Sequence, residues 1–153
     1  MSETMTLERV GDTQIVCRRR FRASPQRVFD AHWQPALLKQ WMLGPDGWTM
    51  PVCEARPEPG AQLRFRWANE EGEEFGIDGE VLEVDPPHRS VHTEHFDFPG
   101  ATPTTVETLY RADGDGTLLV VTVTYASKEA REDHLREGVA EGMATSYDRL
   151  DAL

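Results

Sequence analysis

Hydrophobic positions along this chain follow two different periods. Up to Ala126 most of them recur at every second residue in short runs, the alternation of strands that bury one face. After Ser127 they step by three and four, which is helical spacing. The first alternating run, Gln14 to Arg22, sets Ile15, Cys17 and Phe21 against Arg18, Arg20 and Arg22. Arg19 falls on the apolar side and must either reach the rim or meet a carboxylate such as Glu54. Ser24 and Pro25 then open a short helix, with Ser24 as its cap, and Pro35 opens a second one that runs to Trp41. Six further strands follow: Met50 to Arg56, Ala61 to Ala68, Phe75 to Val84, Arg89 to Phe96, Thr104 to Ala112 and Thr117 to Ala126. The turns between the later strands are short, so neighbours pair antiparallel as a meander. Ser127 to Leu150 reads as one long helix with Ser127 as N-cap. Leu135, Val139, Met143, Tyr147 and Leu150 form its apolar row, and Gly138, Gly142 and Ser146 form a row of small residues beside it. Residues 1–13 read as a partly ordered lead-in, in which Thr6 to Val10 could pair as an extended segment; residues 14–153 read as a single domain.

The turns also set the register, because directly opposed residues of an antiparallel pair share a face. Closing the last hairpin at Ala112 and Thr117 puts Tyr110 opposite Leu119, Thr108 opposite Val121 and Val106 opposite Val123, an apolar and therefore inward face. Trp67 opposite Phe75 places Phe65 opposite Ile77 and Leu63 opposite Gly79. If Val84 opposes Arg89, then Val81 faces His92, Gly79 faces Glu94 and Ile77 faces Phe96. His92 and Glu94 then lie on the concave face, beside a glycine that leaves space. A slip of one residue would turn both out to solvent.

The chain has 153 residues, 39% of them hydrophobic, enough for one domain with a real core. Its formal net charge of −11 opposes binding to nucleic acid or to an anionic membrane. No apolar run is long enough to span a bilayer and no signal-peptide core is present, so a cytoplasmic location is expected. Cys17 and Cys53 form no CxxC pair and read as buried thiols.

Candidate chemistry centres on His92 and Glu94, two residues apart on one strand face and able to act as a base and its orienter. Ser90 and Thr108 are the nearby hydroxyls, but neither sits in an elbow or a triad spacing. His88 lies in a turn and His95 on the opposite face from His92, so no metal site is expected, and no cofactor is implied. Asp113-Gly114-Asp115-Gly116 is too short for a calcium loop and reads as a hairpin turn.

One extended pattern carries a family resemblance. It runs Arg19-x-Phe21-x-Ala23-Ser24-Pro25-x-x-Val28-Phe29-Asp30-Ala31, then Leu38-x-x-Trp41 before Gly44-Pro45, then Arg56-Pro57-x-Pro59-Gly60. It continues through Gly79-Glu80-Val81-Leu82-Glu83-Val84-x-Pro86-Pro87-x-Arg89 to Gly116-Thr117 and Gly142-Met143. In this order the chain resembles the START-like helix-grip superfamily (SRPBCC, birch-pollen-allergen-like), in the branch of activators of the heat-shock-protein-90 ATPase. The resemblance implies an α+β helix-grip fold: a curved seven-stranded antiparallel sheet wrapped around a long C-terminal helix, with two short helices after the first strand.

It also implies a hydrophobic cavity between sheet and helix. The sheet would supply Phe65, Trp67, Phe75, Ile77, His92, Glu94, Phe96, Thr108 and Tyr110 to its wall. The helix would supply Leu135, Val139, Met143 and Tyr147, with Trp41 near the mouth. Ser90, His92 and Glu94 stand where many relatives carry aromatic or leucine side chains, and Met143 where many carry tryptophan. Three functions fit: a binding protein for a hydrophobic or aromatic small molecule, an enzyme of the cyclase, dehydratase or hydrolase kind using His92 and Glu94, and a chaperone-interaction module. The pattern is also compatible with a homodimer formed through an edge strand or a loop surface.

Overall fold

The structure is a computed structural model that describes residues 4–153. Eight antiparallel strands form one sheet: β1 (Thr6–Val10), β2 (Gln14–Phe21), β3 (Trp48–Glu54), β4 (Gln62–Asn69), β5 (Glu74–Asp85), β6 (Arg89–Phe96), β7 (Thr104–Asp113) and β8 (Gly116–Thr124). Their spatial order is β1-β2-β8-β7-β6-β5-β4-β3. The expected strand count of seven is therefore one short. Thr6–Val10, part of the supposed lead-in, turns back at Gly11 and pairs with β2 from Thr6↔Arg18 to Val10↔Gln14. The first three residues of that lead-in lie outside the described residues.

Helices α1 (Pro25–Trp33) and α2 (Pro35–Trp41) form where the proline punctuation places them. The Ser24 hydroxyl accepts from Arg27 N at 3.4 Å at the start of α1, and the Trp41 indole donates to Ala31 O at 2.9 Å, closing the corner between the two.

The single C-terminal helix expected from the periodicity is two helices, α3 (Lys128–Arg136) and α4 (Val139–Asp151). Gly138 stands between them at φ 92°, a conformation that any residue with a Cβ reaches only with strain. Its N–H bonds Leu135 O at 3.3 Å and ends α3, so this glycine is a stop signal and not an interior position of a helix. The Ser127 hydroxyl caps α3, accepting from Ala130 N at 3.0 Å. Arg131, 3% exposed, anchors α3 by donating to Gly11 O at 2.8 Å and Gln14 O at 3.2 Å. The β1–β2 turn, the start of β2 and the Arg9–Glu132 ion pair from β1, at 2.9 Å, thus hold the first half of the C-terminal segment.

The hairpins β4–β5 and β7–β8 pair in the register that their turns dictate, with Trp67↔Phe75, Phe65↔Ile77, Tyr110↔Leu119 and Thr108↔Val121. The β5–β6 hairpin closes one residue away from expectation, at Asp85↔Arg89 and Val84↔Ser90. An irregularity between Val81 and Glu83 absorbs the offset and restores Val81↔His92 and Ile77↔Phe96. A bulge adds one residue to one strand, which is why a wrong turn end still leads to the right face. Gly79 does not leave space. A Cβ there would lie 1.9 Å from Thr93 O, so the glycine serves close approach of the backbones of β5 and β6.

Arg19 neither reaches the rim nor meets Glu54. It is 1% exposed and bonds Asp148 at 2.9 Å and Asp151 at 3.4 Å on α4, with its guanidinium 4.8 Å from the Phe21 ring centre. Cys17 is buried as expected, whereas Cys53 is only half-buried. Among the described residues, no helix is long and apolar enough to cross a membrane.

Candidate functional site

The backbone of α4 approaches α2 and α3 closely but stands off from the strands, and the space left between is a cavity of about 440 Å³. The loop after α2 closes one end. Gly44 N donates to the Ser146 hydroxyl at 2.9 Å, Arg149 pairs with Asp46 at 2.9 Å, and the Trp67 indole donates to Met42 O at 2.8 Å. Trp48, Phe75 and Phe96 of the sheet, with Val139, Gly142 and Met143 of α4, are among the half-buried members of the wall.

Thirteen of the fourteen residues expected in the wall border this cavity. They are Phe65, Trp67, Phe75, Ile77, His92, Glu94, Phe96, Thr108 and Tyr110 from the sheet, Trp41 from α2, and Val139, Met143 and Tyr147 from α4. Leu135 does not border it: the break at Gly138 takes α3 out of line with α4, and Leu135 packs at the edge of the core. Trp41 is not at the mouth but deep inside, 2% exposed and stacked on Tyr147 with ring centres 5.8 Å apart. A further row of aromatic rings lies on the sheet. Trp67 and Phe75 stack at 4.8 Å, and Phe96 follows at 6.3 Å from Phe75.

The polar groups fall into two sets. In the first, the Trp33 indole donates to the Tyr110 oxygen at 3.3 Å, and that oxygen also shares a hydrogen bond with Ser90 at 3.2 Å. Ser90 is 1% exposed and engaged with Tyr110, which places it in the frame of the wall. His32 lies beside this set, edge-on to Trp41 at 4.9 Å and Tyr110 at 5.4 Å. Its Nδ1–H donates to Val28 O at 2.7 Å, leaving Nε2 as an acceptor. Burial pushes the ring down to about 4, against that hydrogen bond, so it is neutral at pH 7.

The second set is built around Glu94. His92 Nε2 bonds its Oε2 at 2.9 Å; because an ionised carboxylate only accepts, the histidine donates. Burial alone would raise the Glu94 carboxyl, but the His92 hydrogen bond and the nearby imidazoles of His92 and His134 outweigh it, so the group is lowered and ionised. The 27% of the Glu94 side chain that stays accessible opens onto the cavity. His92 Nδ1 is enclosed with no hydrogen-bond partner among the described residues. His134 closes the set, its Nδ1 sharing a 2.6 Å hydrogen bond with the Tyr125 hydroxyl, and burial lowers its pKa.

His32, His134, Tyr125 and Trp48 border the cavity without having been assigned to it from the sequence. The inward alternation of Val121 and Val123 on β8 ends at Tyr125, so the inward face of Tyr125 is legible in the sequence although its place in the cavity is not. His134 carried no such signal, because its face depends on the break at Gly138. His95 is exposed, donating to Ala101 O at 3.0 Å, on the other face of β6 from His92. Among the described residues, no group of three or more histidine, cysteine or acidic side chains is placed to share a metal ion.

Residues 22–153 match the family model described as Activator of Hsp90 ATPase homolog 1-like protein. The chain belongs to this family. A crystal structure of a protein from Rhodobacter sphaeroides is 33% identical, with TM-score 0.91 over 97% of this chain and 95% of that one. A Mycobacterium smegmatis protein at 24% identity has TM-score 0.84, covering 98% of this chain and 95% of its own. The AHSA1 protein of Silicibacter pomeroyi, at 20% identity, has TM-score 0.73 over 91% and 95%. The last two speak to the fold alone. No curated protein matches the sequence. A shared fold does not by itself assign a function.

Proposed function

We propose that this family member is a small binding protein that encloses an apolar or aromatic metabolite between its sheet and α4, with the His92–Glu94 pair orienting one polar group of the ligand. The observation that carries the reading is a cavity of about 440 Å³ walled by aromatic side chains and holding one hydrogen-bonded, ionised carboxylate. Its volume lies within the roughly 300–1,000 Å³ of small-molecule sites, and an apolar wall with few convergent polar groups is their usual make-up. The family name also points to a chaperone-associated role. The exposed large apolar side chains Val10, Leu82, Phe98 and Leu153 are spread over β1, β5, the loop after β6 and the C-terminus, so the cavity is the stronger basis for a function.

A second reading, favoured by the 2.9 Å His92–Glu94 hydrogen bond, is an enzyme in which His92 moves a proton and Glu94 orients the ring. With Ser90 engaged by Tyr110, this reading is confined to proton transfer and has no covalent step.

The test is native mass spectrometry of the protein purified from its own host, alongside its tryptophan emission. All four tryptophans border the cavity, so any occupant alters the signal. A retained molecule released on denaturation is the expected result. A bare protein mass, with emission indifferent to every apolar probe, would count against an enclosed ligand.

A further inference from the structure

The charge on the cavity wall is one-sided. Among the described residues, Glu94 is its only acidic residue and neither a lysine nor an arginine borders the space. The basic groups on the wall are imidazoles, those of His32, His92 and His134. Burial disfavours the charged forms of His32 and His134. His92 is committed through Nε2 to Glu94 Oε2, and its enclosed Nδ1 has no hydrogen-bond partner among the described residues. The second Glu94 oxygen, Oε1, has no hydrogen-bond partner among the described residues and is not enclosed. An unpaired carboxylate oxygen thus faces an apolar space where a charge is poorly solvated and attracts an opposite charge more strongly than in water. Ring faces lie close by, with Phe96 two residues along β6 and Phe75 and Trp67 stacked beyond it. Such faces favour a cation over an anion. The net charge of −11 favours the approach of cations in the same way.

We infer that the cavity takes an aromatic or heteroaromatic cation, its flat body against the Trp67–Phe75–Phe96 row and its protonated nitrogen donating to Glu94 Oε1. This rests on the binding reading above and narrows it. Fatty acids and other apolar carboxylates are excluded, since they would place a second anion beside Glu94 with no cation to separate the two. A neutral alcohol of the same shape has a donor for Oε1 but lacks the charge, and so ranks between them.

The experiment compares three probes with one aromatic body: 2-(1-naphthyl)ethylamine, 2-(1-naphthyl)ethanol and 1-naphthylacetate, each titrated calorimetrically into the full chain at pH 7.5. The amine is expected to bind about tenfold tighter than the alcohol, as a charge-assisted hydrogen bond is roughly twice as strong as a neutral one, and the carboxylate weakest of all. In Glu94→Gln the amine-to-alcohol ratio should fall to within about threefold of one. Binding of the three probes without this order overturns the inference and leaves the binding reading standing, as does a Glu94→Gln protein that keeps the full ratio. Failure of all three to bind overturns both. Should Glu94→Gln not fold, the order among the probes in the unaltered protein decides alone.

Discussion

Gly142 offers a direct test of whether the space beneath α4 is a binding site or merely loose packing. It lies in the interior of α4 and borders the cavity together with Val139, Met143 and Ser146, on the helix face formed by three- and four-residue steps. A Cβ built there meets nothing within 4 Å. Replacing it by leucine has two consequences that add. Leucine is a better helix former than glycine by about 0.8 kcal/mol. Its side chain enters empty apolar space, and full burial of a leucine stabilises by roughly 1.5–3 kcal/mol; with one side of the cavity open, about half of that is a reasonable share. Gly142→Leu should therefore stabilise the protein by about 2 kcal/mol, which for a domain of this size raises Tm by roughly 4–8 °C. The same side chain occupies room a ligand needs, and forcing extra methylenes into a filled space costs roughly 1–3 kcal/mol, so affinity for the naphthyl probes should fall about tenfold or more. Thermal unfolding followed by circular dichroism and probe titration followed calorimetrically read the two effects separately. A Gly142→Leu protein that melts lower, or that melts higher but binds unchanged, would show that this face of α4 does not border a usable cavity.

The buried cation and the pH response of the core give two further expectations. Asp151→Ala removes a carboxylate that is 7% exposed from Arg19, which is 1% exposed, leaving the half-exposed Asp148 as its ion-pair partner among the described residues. Breaking a buried pair in this way costs about 3 kcal/mol, read as a lower urea midpoint at unchanged slope, and a loss under about 1 kcal/mol would refute the role given to Asp151. His32, held at about 4 against an ordinary value of about 6.5, takes up a proton on unfolding anywhere between these two. Its contribution is fully present above about pH 6.5 and is lost as the pH falls to about 4, for a total of up to about 3 kcal/mol. Urea midpoints measured across that range should decline less steeply in His32→Gln than in the unaltered chain, and parallel declines would contradict a buried neutral ring.

Much of the sheet was determined locally. In β4–β5 and β7–β8 a short turn and strict alternation leave one register that keeps the apolar face inward, so Phe65, Trp67, Thr108 and Tyr110 could be placed from the sequence. His92 and Glu94 were also placed inward, although the turn before them closes elsewhere, because the irregularity near Leu82 returned the pairing to phase. Periodicity also located Ser24 and Ser127 as caps, since a cap reads only the next turn of its own helix.

What stayed hidden depends on residues far apart in the chain or on a conformation that composition does not announce. Three- and four-residue spacing carries on across Gly138, and only the backbone there, at positive φ, separates α3 from α4 and turns Leu135 away from the cavity and His134 toward it. The carboxylate partners of Arg19 are more than a hundred residues along the chain, on the last turns of α4. Local pattern encodes which side of an element is buried; it carries no record of which distant surface does the burying. The apolar faces of the strands were therefore legible in the amino-acid order, whereas the hollow, its single ionised carboxylate and the histidines gathered beside it exist only once α4 is held away from the sheet.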